Sequence, residues 1–325
     1  MRAIIPVAGV GSRLRPHTFT LPKVLLNVAG KPILGHILDK ILGEGIQEGT
    51  IVVGHMSEMI RDYVSRSYPA FRADYVEQDE RLGLGHAIYL ARNSISSDPV
   101  LIILGDTIFD VALGPVLQQR HSALGVKMVD DPRRFGVAET RNGSIVRLIE
   151  KPENPTSNLA VVGLYYICNT PLLVSCLNEL VDKNIRTKGE LQLTDALQMM
   201  IDRGEMMNTF MVDGWYDCGK PETLLATNRA LLEKKSTPRR VEGVVIVDPV
   251  YIAASAKLES SIIGPYTSVG EEACISESIV RNSIIGEEAN VHKVLLDNSI
   301  VGSGAAVQGN YKRVNMGDSS EIDFN

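Results

Sequence analysis

The segment Pro6-Val-Ala-Gly-Val-Gly-Ser-Arg-Leu-Arg-Pro16, directly after a short β-branched run, is the densest stretch of chemistry in the chain. A glycine turn at the C-terminal end of a strand lets backbone N–H groups converge on an anion. Arg13, Arg15 and Lys23 concentrate positive charge there, in a chain whose net charge is −6. Such local focusing is what an anionic substrate requires. The segment is not a dinucleotide fingerprint, because Leu14 stands where its last glycine would fall, and the P-loop pattern fails as well. Asp106 follows the apolar run Val100–Leu104, and Asp217 lies in a Trp-Tyr-Asp-Cys-Gly turn. Brought together, the two would suit Mg²⁺, which takes one or two carboxylates with phosphate oxygens and waters. Either alone serves equally well as a turn or capping residue. Lys23 and Lys151 each adjoin a proline, although a solvated surface is the ordinary place for lysine. His86 follows Gly85 at a helix start and reads as structural rather than as a general base.

These residues need elements to position them. The chain has 325 residues, 44% hydrophobic and 22% charged, close to the average for soluble globular proteins. That excludes a disordered, collagen-like or coiled-coil chain. The length suits two domains. No apolar run reaches the roughly 18–20 residues of a membrane helix, and the start lacks an apolar signal-peptide core. Cys168, Cys176, Cys218 and Cys274 show no CxxC spacing, so neither zinc nor a disulfide scaffold is indicated. A reducing cytoplasm is the expected address. The 33 Lys+Arg against 39 Asp+Glu also lack the basic footprint of a nucleic-acid binder.

Strands are expected at Ala3–Val7, Thr50–Val53, Ala73–Val76 and Val100–Leu104, with helices at Ile33–Leu42, Ser57–Ser67 and Leu84–Arg92 between them. That alternation predicts an α/β domain, a parallel sheet with helices on both faces. After Val126 the pattern turns to hairpin-like strands at Gly136–Thr140, Ile145–Ile149 and Leu159–Ile167, with Asn142-Gly143 as a turn. Helices are expected again at Pro171–Asp182, Leu191–Arg203 and Pro221–Lys235. The polar, basic run Glu233–Arg240, with Pro238, reads as a boundary. Beyond it aliphatic residues recur about every six positions, and Ser261-Ile-Ile-Gly, Ser283-Ile-Ile-Gly and Ser299-Ile-Val-Gly repeat one phrase. Such a period marks a β-solenoid of about four coils if each takes ~18 residues. The expected units are 1–235, a solenoid over 241–311 and a polar tail over 312–325.

Val7-Ala-Gly-x-Gly-Ser-Arg-Leu14, Leu21-Pro-Lys-Val-Leu25 and Ala29-Gly-Lys-Pro32 together resemble the signature of sugar-1-phosphate nucleotidylyltransferases. The resemblance continues through Gln78-Asp-Glu-Arg-Leu-Gly-Leu-Gly-His-Ala87, Leu104-Gly-Asp106, Phe135–Glu139 and Glu150-Lys-Pro152. Val162–Tyr165, Gly189–Asp195 and Trp215–Gly219 complete the family's order, so it covers nearly the whole chain. It implies a Rossmann-like, mixed but mainly parallel sheet, followed by a short left-handed parallel β-helix of hexapeptide repeats. It also implies a Mg²⁺-dependent transfer from UTP or dTTP to a sugar 1-phosphate, with loss of pyrophosphate.

In that reading Ala8, Gly9, Gly11 and Ser12 hold the triphosphate with Arg13, and Lys23 neutralises developing charge. Asp106 and Asp217 take the metal, and Gln78 and Gly83 meet the base. Gly136, Glu150, Lys151 and Gly163 bind the sugar phosphate, with Lys151 as its anchor; the bland alternative for Glu150 is a surface ion pair. Gln78 has the amide groups to match a uracil or thymine edge, so CTP is expected to be rejected. Pro6-Val-Ala-Gly9 and Gly83-Leu-Gly-His-Ala87 are similar to UTP–glucose-1-phosphate enzymes, and Leu21–Leu25 to N-acetylglucosamine-1-phosphate uridylyltransferases. Leu104–Phe109 is similar to glucose-1-phosphate thymidylyltransferases but departs from them at Thr107, where many carry Asn. Three rival readings are an N-acetylglucosamine-1-phosphate uridylyltransferase, an inactive regulatory homologue and acyl transfer by the tail, which offers only His292 as a base. The β-helix is expected to support oligomerisation or sensing and the protein to be a homo-oligomer, with neither nucleic acid nor membrane as partner.

Overall fold

A computed structural model describes residues 1–235 and 239–310; Pro238 of the expected boundary and the expected polar tail lie outside the described residues. Two compact units emerge. The first comprises Met1–Leu26 and Lys31–Leu224, the second Asn27–Gly30 and the chain from Leu225 onward. Among the described residues no helix is long and apolar enough to cross a membrane.

In the first unit the longer strands are β1 (Arg2–Pro6), β2 (Glu48–Val53), β3 (Arg72–Glu77), β4 (Val100–Ile103) and β5 (Thr107–Asp110). They continue as β6 (Ser122–Met128), β7 (Gly136–Arg141), β8 (Ser144–Glu150), β9 (Leu159–Ile167), β10 (Met207–Met211) and β11 (Gly214–Asp217). A nine-stranded sheet runs β3-β2-β1-β4-β9-β6-β10-β8-β7. The β3-β2-β1-β4 half is parallel, as its alternation with helices requires. The β9 strand then enters antiparallel to β4 and β6, and β10 lies parallel to β6. Asn142 and Gly143 both take positive φ, the two-residue turn that joins β7 to β8. β5 and β11 form a separate antiparallel ribbon that pairs Thr107 with Asp217.

Side chains alternate across a strand, so each central strand must feed two apolar layers. Ile4, Val52 and Ile102 enter one core with Ile88 of α1 (Leu84–Leu90), Leu177 of α2 (Thr170–Asp182) and Leu197 of α3 (Leu193–Asp202). The alternate residues Ala3, Ile5, Leu101 and Ile103 are equally buried, which covers the other face. The α2 helix starts where the Asn169 side chain accepts the Leu172 N–H at 3.2 Å, with proline in its first turn. The C-terminal ends of β1, β3 and β4 all open on the same rim, where ligands of parallel α/β sheets bind.

The second unit is built from three four-stranded parallel stacks, the arrangement of a β-helix with four coils and consistent with a left-handed one. Its period is tighter than the hexapeptide expectation. Val245 pairs with Ile262, a step of 17 residues, and Cys274 pairs with Asn290, a step of 16. The shortening falls at corners where one residue takes the left-handed conformation: Ser260, Glu277, Asn282, Lys293 and Asn298. The residue after several of these is the repeating serine, and its role is visible. Ser261 Oγ donates to the Glu259 carbonyl at 2.6 Å and accepts the Ser278 N–H of the next coil at 3.1 Å. Ser283 repeats this with Arg281 and Ser299. Each hydroxyl therefore satisfies two backbone groups that a corner leaves unpaired. Within the same unit Asn228 is 1% exposed, accepting from Ala29 N and Ser268 Oγ and donating to the Tyr266 carbonyl.

Coil spacing leaves no room for a side chain at Gly270 or Gly286. A Cβ added at Gly286 would lie 2.6 Å from Ser303 N and 2.7 Å from the Gly302 carbonyl carbon, both backbone atoms. Gly286→Ala is therefore expected to cost about 1–3 kcal/mol by overpacking. Thermal denaturation checks this, and an unchanged Tm would show that the coils can slide apart.

Candidate active site

Gly11 sets the shape of the phosphate loop. It has φ of 66°, and a Cβ there would meet Lys23 Cβ at 2.9 Å and Thr18 Cγ2 at 3.0 Å. Only glycine fits. The Thr18 hydroxyl donates to the Gly11 carbonyl at 2.9 Å, and Leu14 N closes the following turn onto the same carbonyl at 2.8 Å. Gly9 differs, since a Cβ there would meet nothing within 4 Å. Ala8, Gly9, Gly11, Ser12 and Arg13 line one side of a cleft of about 460 Å³. Lys23, on a short turn after Pro22, is 7% exposed and reaches into the same cleft. Its Nζ sits 2.9 Å from Asp106 Oδ2.

The two carboxylates titrate in opposite directions. Burial alone would raise the Asp106 carboxyl, but the charge and hydrogen bond of Lys23, with the Thr107 hydroxyl, hold it below the usual carboxylate range. Thr107 Oγ1 donates to Asp106 Oδ1 at 3.2 Å, which is what the departure at this position supplies. Asp217 is pushed up, first by burial and then by the negative charge of Asp106, with Lys23 and Arg13 offsetting only part of it. The ribbon brings the pair together, because Asp217 pairs with Thr107 and the Cys218 N–H donates to the Asp106 carbonyl at 3.0 Å. A Cβ on Gly219 would crowd Asp217 Oδ1 at 2.9 Å and Arg13 Nη2 at 3.1 Å, so these three groups converge. Two like charges held this close favour a cation between them or a proton on one.

Gln78 follows β3 and is 8% exposed, with its backbone N–H on the Val53 carbonyl. Its Nε2 donates to the Gly83 carbonyl at 3.2 Å and lies 3.3 Å from His86 Nδ1. Gly83 has φ of 117°, and a Cβ would strike the Leu191 carbonyl at 2.6 Å. The loop is clamped by Leu191, which donates to Leu82 O at 2.7 Å and accepts from Gly85 N at 2.8 Å. Gln78 and Gly83 line the same cleft as the phosphate loop and Asp106.

A second group forms on β7, β8 and β9. Glu150 Oε2 accepts from Thr194 Oγ1 at 2.7 Å, and Glu150 Oε1 pairs with Lys151 Nζ at 3.2 Å. Gly136 allows this, since a Cβ there would stand 3.2 Å from Glu150 Oε2 and 3.3 Å from Thr194 Oγ1. Lys151 takes φ of 46° and donates its N–H to Phe135 O, while Phe135 packs edge-on against Trp215 at 4.8 Å. Gly163 lies in a register shift of β9, where a Cβ would strike Leu104 Cδ1 at 2.6 Å. Leu104 lines the cleft, so the two groups meet at this point. Buried Tyr165 senses both: burial, then the charges of Glu150 and Asp106, push its phenol up.

The family model described as nucleotidyl transferase matches residues 2–234 of the chain. The chain belongs to the nucleotidyl transferase family. This nucleotidyl transferase is 31% identical over 315 residues to the low-salt glycan biosynthesis nucleotidyltransferase Agl11 of Haloferax volcanii, covering 87% of each chain. It is also 31% identical to a glucose-1-phosphate thymidylyltransferase of Streptomyces griseus, over 87% of this chain and 86% of the relative. The solved structure of a UDP-glucose pyrophosphorylase complexed with UDP-glucose is similar with a TM-score of 0.61 at 26% identity, covering 72% of this chain and 99% of that one.

Two residues of this nucleotidyl transferase's cleft, and one that holds Glu150, were not singled out from the sequence. Arg81 and Glu190 line the cleft, although both fall inside segments that the reading quoted as motifs. Thr194, which holds Glu150, lies in the Gly189–Asp195 run, but nothing in the sequence ties it to a carboxylate 44 positions away.

Proposed function

We propose that the protein transfers a nucleotidyl group from UTP or dTTP to a sugar 1-phosphate, glucose 1-phosphate being favoured, and releases pyrophosphate. The observation that carries this reading is a single cleft joining the phosphate loop, the Lys23–Asp106 pair and Gln78; the Glu150–Lys151 group lines a separate cavity, and Gly163 packs on Leu104 of the cleft. The Agl11, thymidylyltransferase and pyrophosphorylase relatives support it.

The sugar phosphate oxygen attacks the nucleotide's α-phosphorus, and the bond to the β,γ-phosphates breaks, so pyrophosphate leaves with that bond's electrons. The nucleophile is already an anion and needs no protein base. Catalysis is then a matter of holding two anions in line and neutralising the charge that develops. Backbone N–H groups of Ala8–Ser12 and the Arg13 guanidinium take the triphosphate. Lys23 faces the developing charge, Lys151 anchors the sugar phosphate and Glu150 accepts from sugar hydroxyls. Gly136 and Gly163 let the sugar approach the backbone.

The donor set fits Mg²⁺. Among the described residues no group of three or more His, Cys, Asp or Glu is poised to hold a metal, so an all-protein cage is absent and the Asp106–Asp217 pair would be completed by phosphate oxygens and waters. The ion would supply Lewis-acid stabilisation of phosphate charge. The reading also includes a homo-oligomer. It is supported by the outward ladder Val245, Ile262, Ile279 and Leu295, exposed and in register on one β-helix face.

Pyrophosphate release over a panel of nucleotides and sugar 1-phosphates tests the substrates. UTP and dTTP should be used and CTP rejected by roughly 10–100-fold, because an unmatched buried polar group costs about 1–3 kcal/mol. UTP and dTTP present the same edge to Gln78, so discrimination between them should rest on one methyl group, worth about 1–3 kcal/mol in a pocket. Gln78→Ala is expected to lower activity with both and narrow their advantage over CTP. Preference for ATP or GTP in the unmodified protein would refute the assignment of Gln78.

A further inference from the structure

The base loop holds a contact that the proposed binding of a base does not itself explain. Gln78 Nε2 lies 3.2 Å from the Gly83 carbonyl and 3.3 Å from His86 Nδ1. A backbone carbonyl only accepts, so the amide's NH₂ rather than its C=O faces Gly83. The second amide hydrogen then falls to His86 Nδ1, which can accept it only while the ring is neutral and protonated at Nε2. Both hydrogens of a side chain that is 8% exposed are thus taken up inside the protein. Among the described contacts the carbonyl Oε1 is the amide group left over, and the residue lines the cleft.

We infer that His86 is a positioning residue for base selection: with Gly83 it fixes the Gln78 amide so that its carbonyl is the group presented to the base. This rests on the proposed reading of the cleft as a pyrimidine nucleotide site. A carbonyl acceptor matches the N3–H of uracil or thymine and repels cytosine, whose N3 is itself an acceptor. A freely turning amide would match either, since its NH₂ could serve cytosine. The imidazole is itself held, stacked on Tyr89 at 6.3 Å with an interplanar angle of 20°. Burial, assisted by Arg186 and opposed by Glu80, lowers its pKa from the ordinary value, which keeps the ring a neutral acceptor near pH 7.

The test compares kcat/KM for UTP and CTP, with glucose 1-phosphate, in the full chain and in His86→Ala, His86→Phe and His86→Asn. Phe keeps a ring without an acceptor, and Asn places an oxygen near the Nδ1 position. Melting temperatures verify that each variant folds. The UTP:CTP ratio should fall about tenfold in the Ala and Phe variants, chiefly through KM for UTP, with KM for glucose 1-phosphate unchanged. His86→Asn should restore the ratio. An unmodified protein that prefers UTP, with folded Ala and Phe variants that keep the full ratio, would overturn the inference and leave the cleft's reading intact. Loss of preference in all three variants would assign the effect to the helix start and overturn it too. An unmodified protein indifferent between UTP and CTP would instead remove the reading on which the inference stands.

Discussion

Asp217→Asn is expected to lower kcat at least about a hundredfold, about 2.7 kcal/mol of barrier, while leaving the fold intact. The side chain contributes charge rather than core packing. It is absent from the apolar clusters, and its carboxyl is raised by burial and by Asp106. Removing that negative charge relieves Asp106 but leaves one carboxylate where the proposed metal takes two. EDTA should abolish activity in the unmodified protein, and added Mg²⁺ should restore it. The raised Asp217 carboxyl also sets a direction with pH. Activity that needs it ionised is full above its pKa and is lost as pH falls through that value. Steady-state assays with a Mg²⁺ titration decide the matter, and full activity of the Asn variant would remove Asp217 from the site.

Lys23→Met should cost about 10²–10³ in kcat, the usual scale for deleting one preorganised electrostatic group in a dry site. The methionine keeps the length of a side chain packed under Gly11 and removes only the charge. Its signature lies in the pH profile. Lys23 is the main group that holds Asp106 below the usual carboxylate range against burial, so without it burial is opposed only by the Thr107 hydroxyl and a backbone hydrogen bond, and the Asp106 pKa rises. The acid limb of kcat/KM should therefore move to higher pH. A variant that is slow but keeps the original limb would mean that the pair does not govern the site's protonation.

Much of this architecture was legible because its residues announce their own neighbours. Leu159–Ile167 and Ser57–Ser67 form a strand and a helix with the bounds that their patterns predict. The glycine loop was legible as a turn after a strand, but not the unequal weight of its glycines: Gly11 is forced by Thr18 and Lys23, while Gly9 is not. The β10 strand was not legible, because Met207–Met211 has neither β-branched enrichment nor alternation and gains its place from pairing with β6. Likewise the 16-residue coil depends on left-handed corners at ordinary residues such as Glu277 and Lys293, for which sequence carries no signal. The assignment of Asn27–Gly30 to the β-helix unit was hidden for the same reason, since it follows from contacts such as Asn228 on Ala29. Electrostatic coupling is the least visible of all. That Thr107 steadies Asp106 while Asp106 raises Asp217 follows from a ribbon pairing and not from spacing.

The central claim is that a nucleotidyl group passes from the triphosphate to a sugar phosphate, and following the α-phosphorus tests it most directly. The protein is incubated with α-³²P-labelled UTP, glucose 1-phosphate and Mg²⁺, and the products are separated. The account predicts that the label moves into a nucleotide sugar with one pyrophosphate released per transfer, and that omitting glucose 1-phosphate stops both. Label appearing as UMP without the sugar phosphate, or remaining in UTP while acetyl-CoA is consumed, would contradict it.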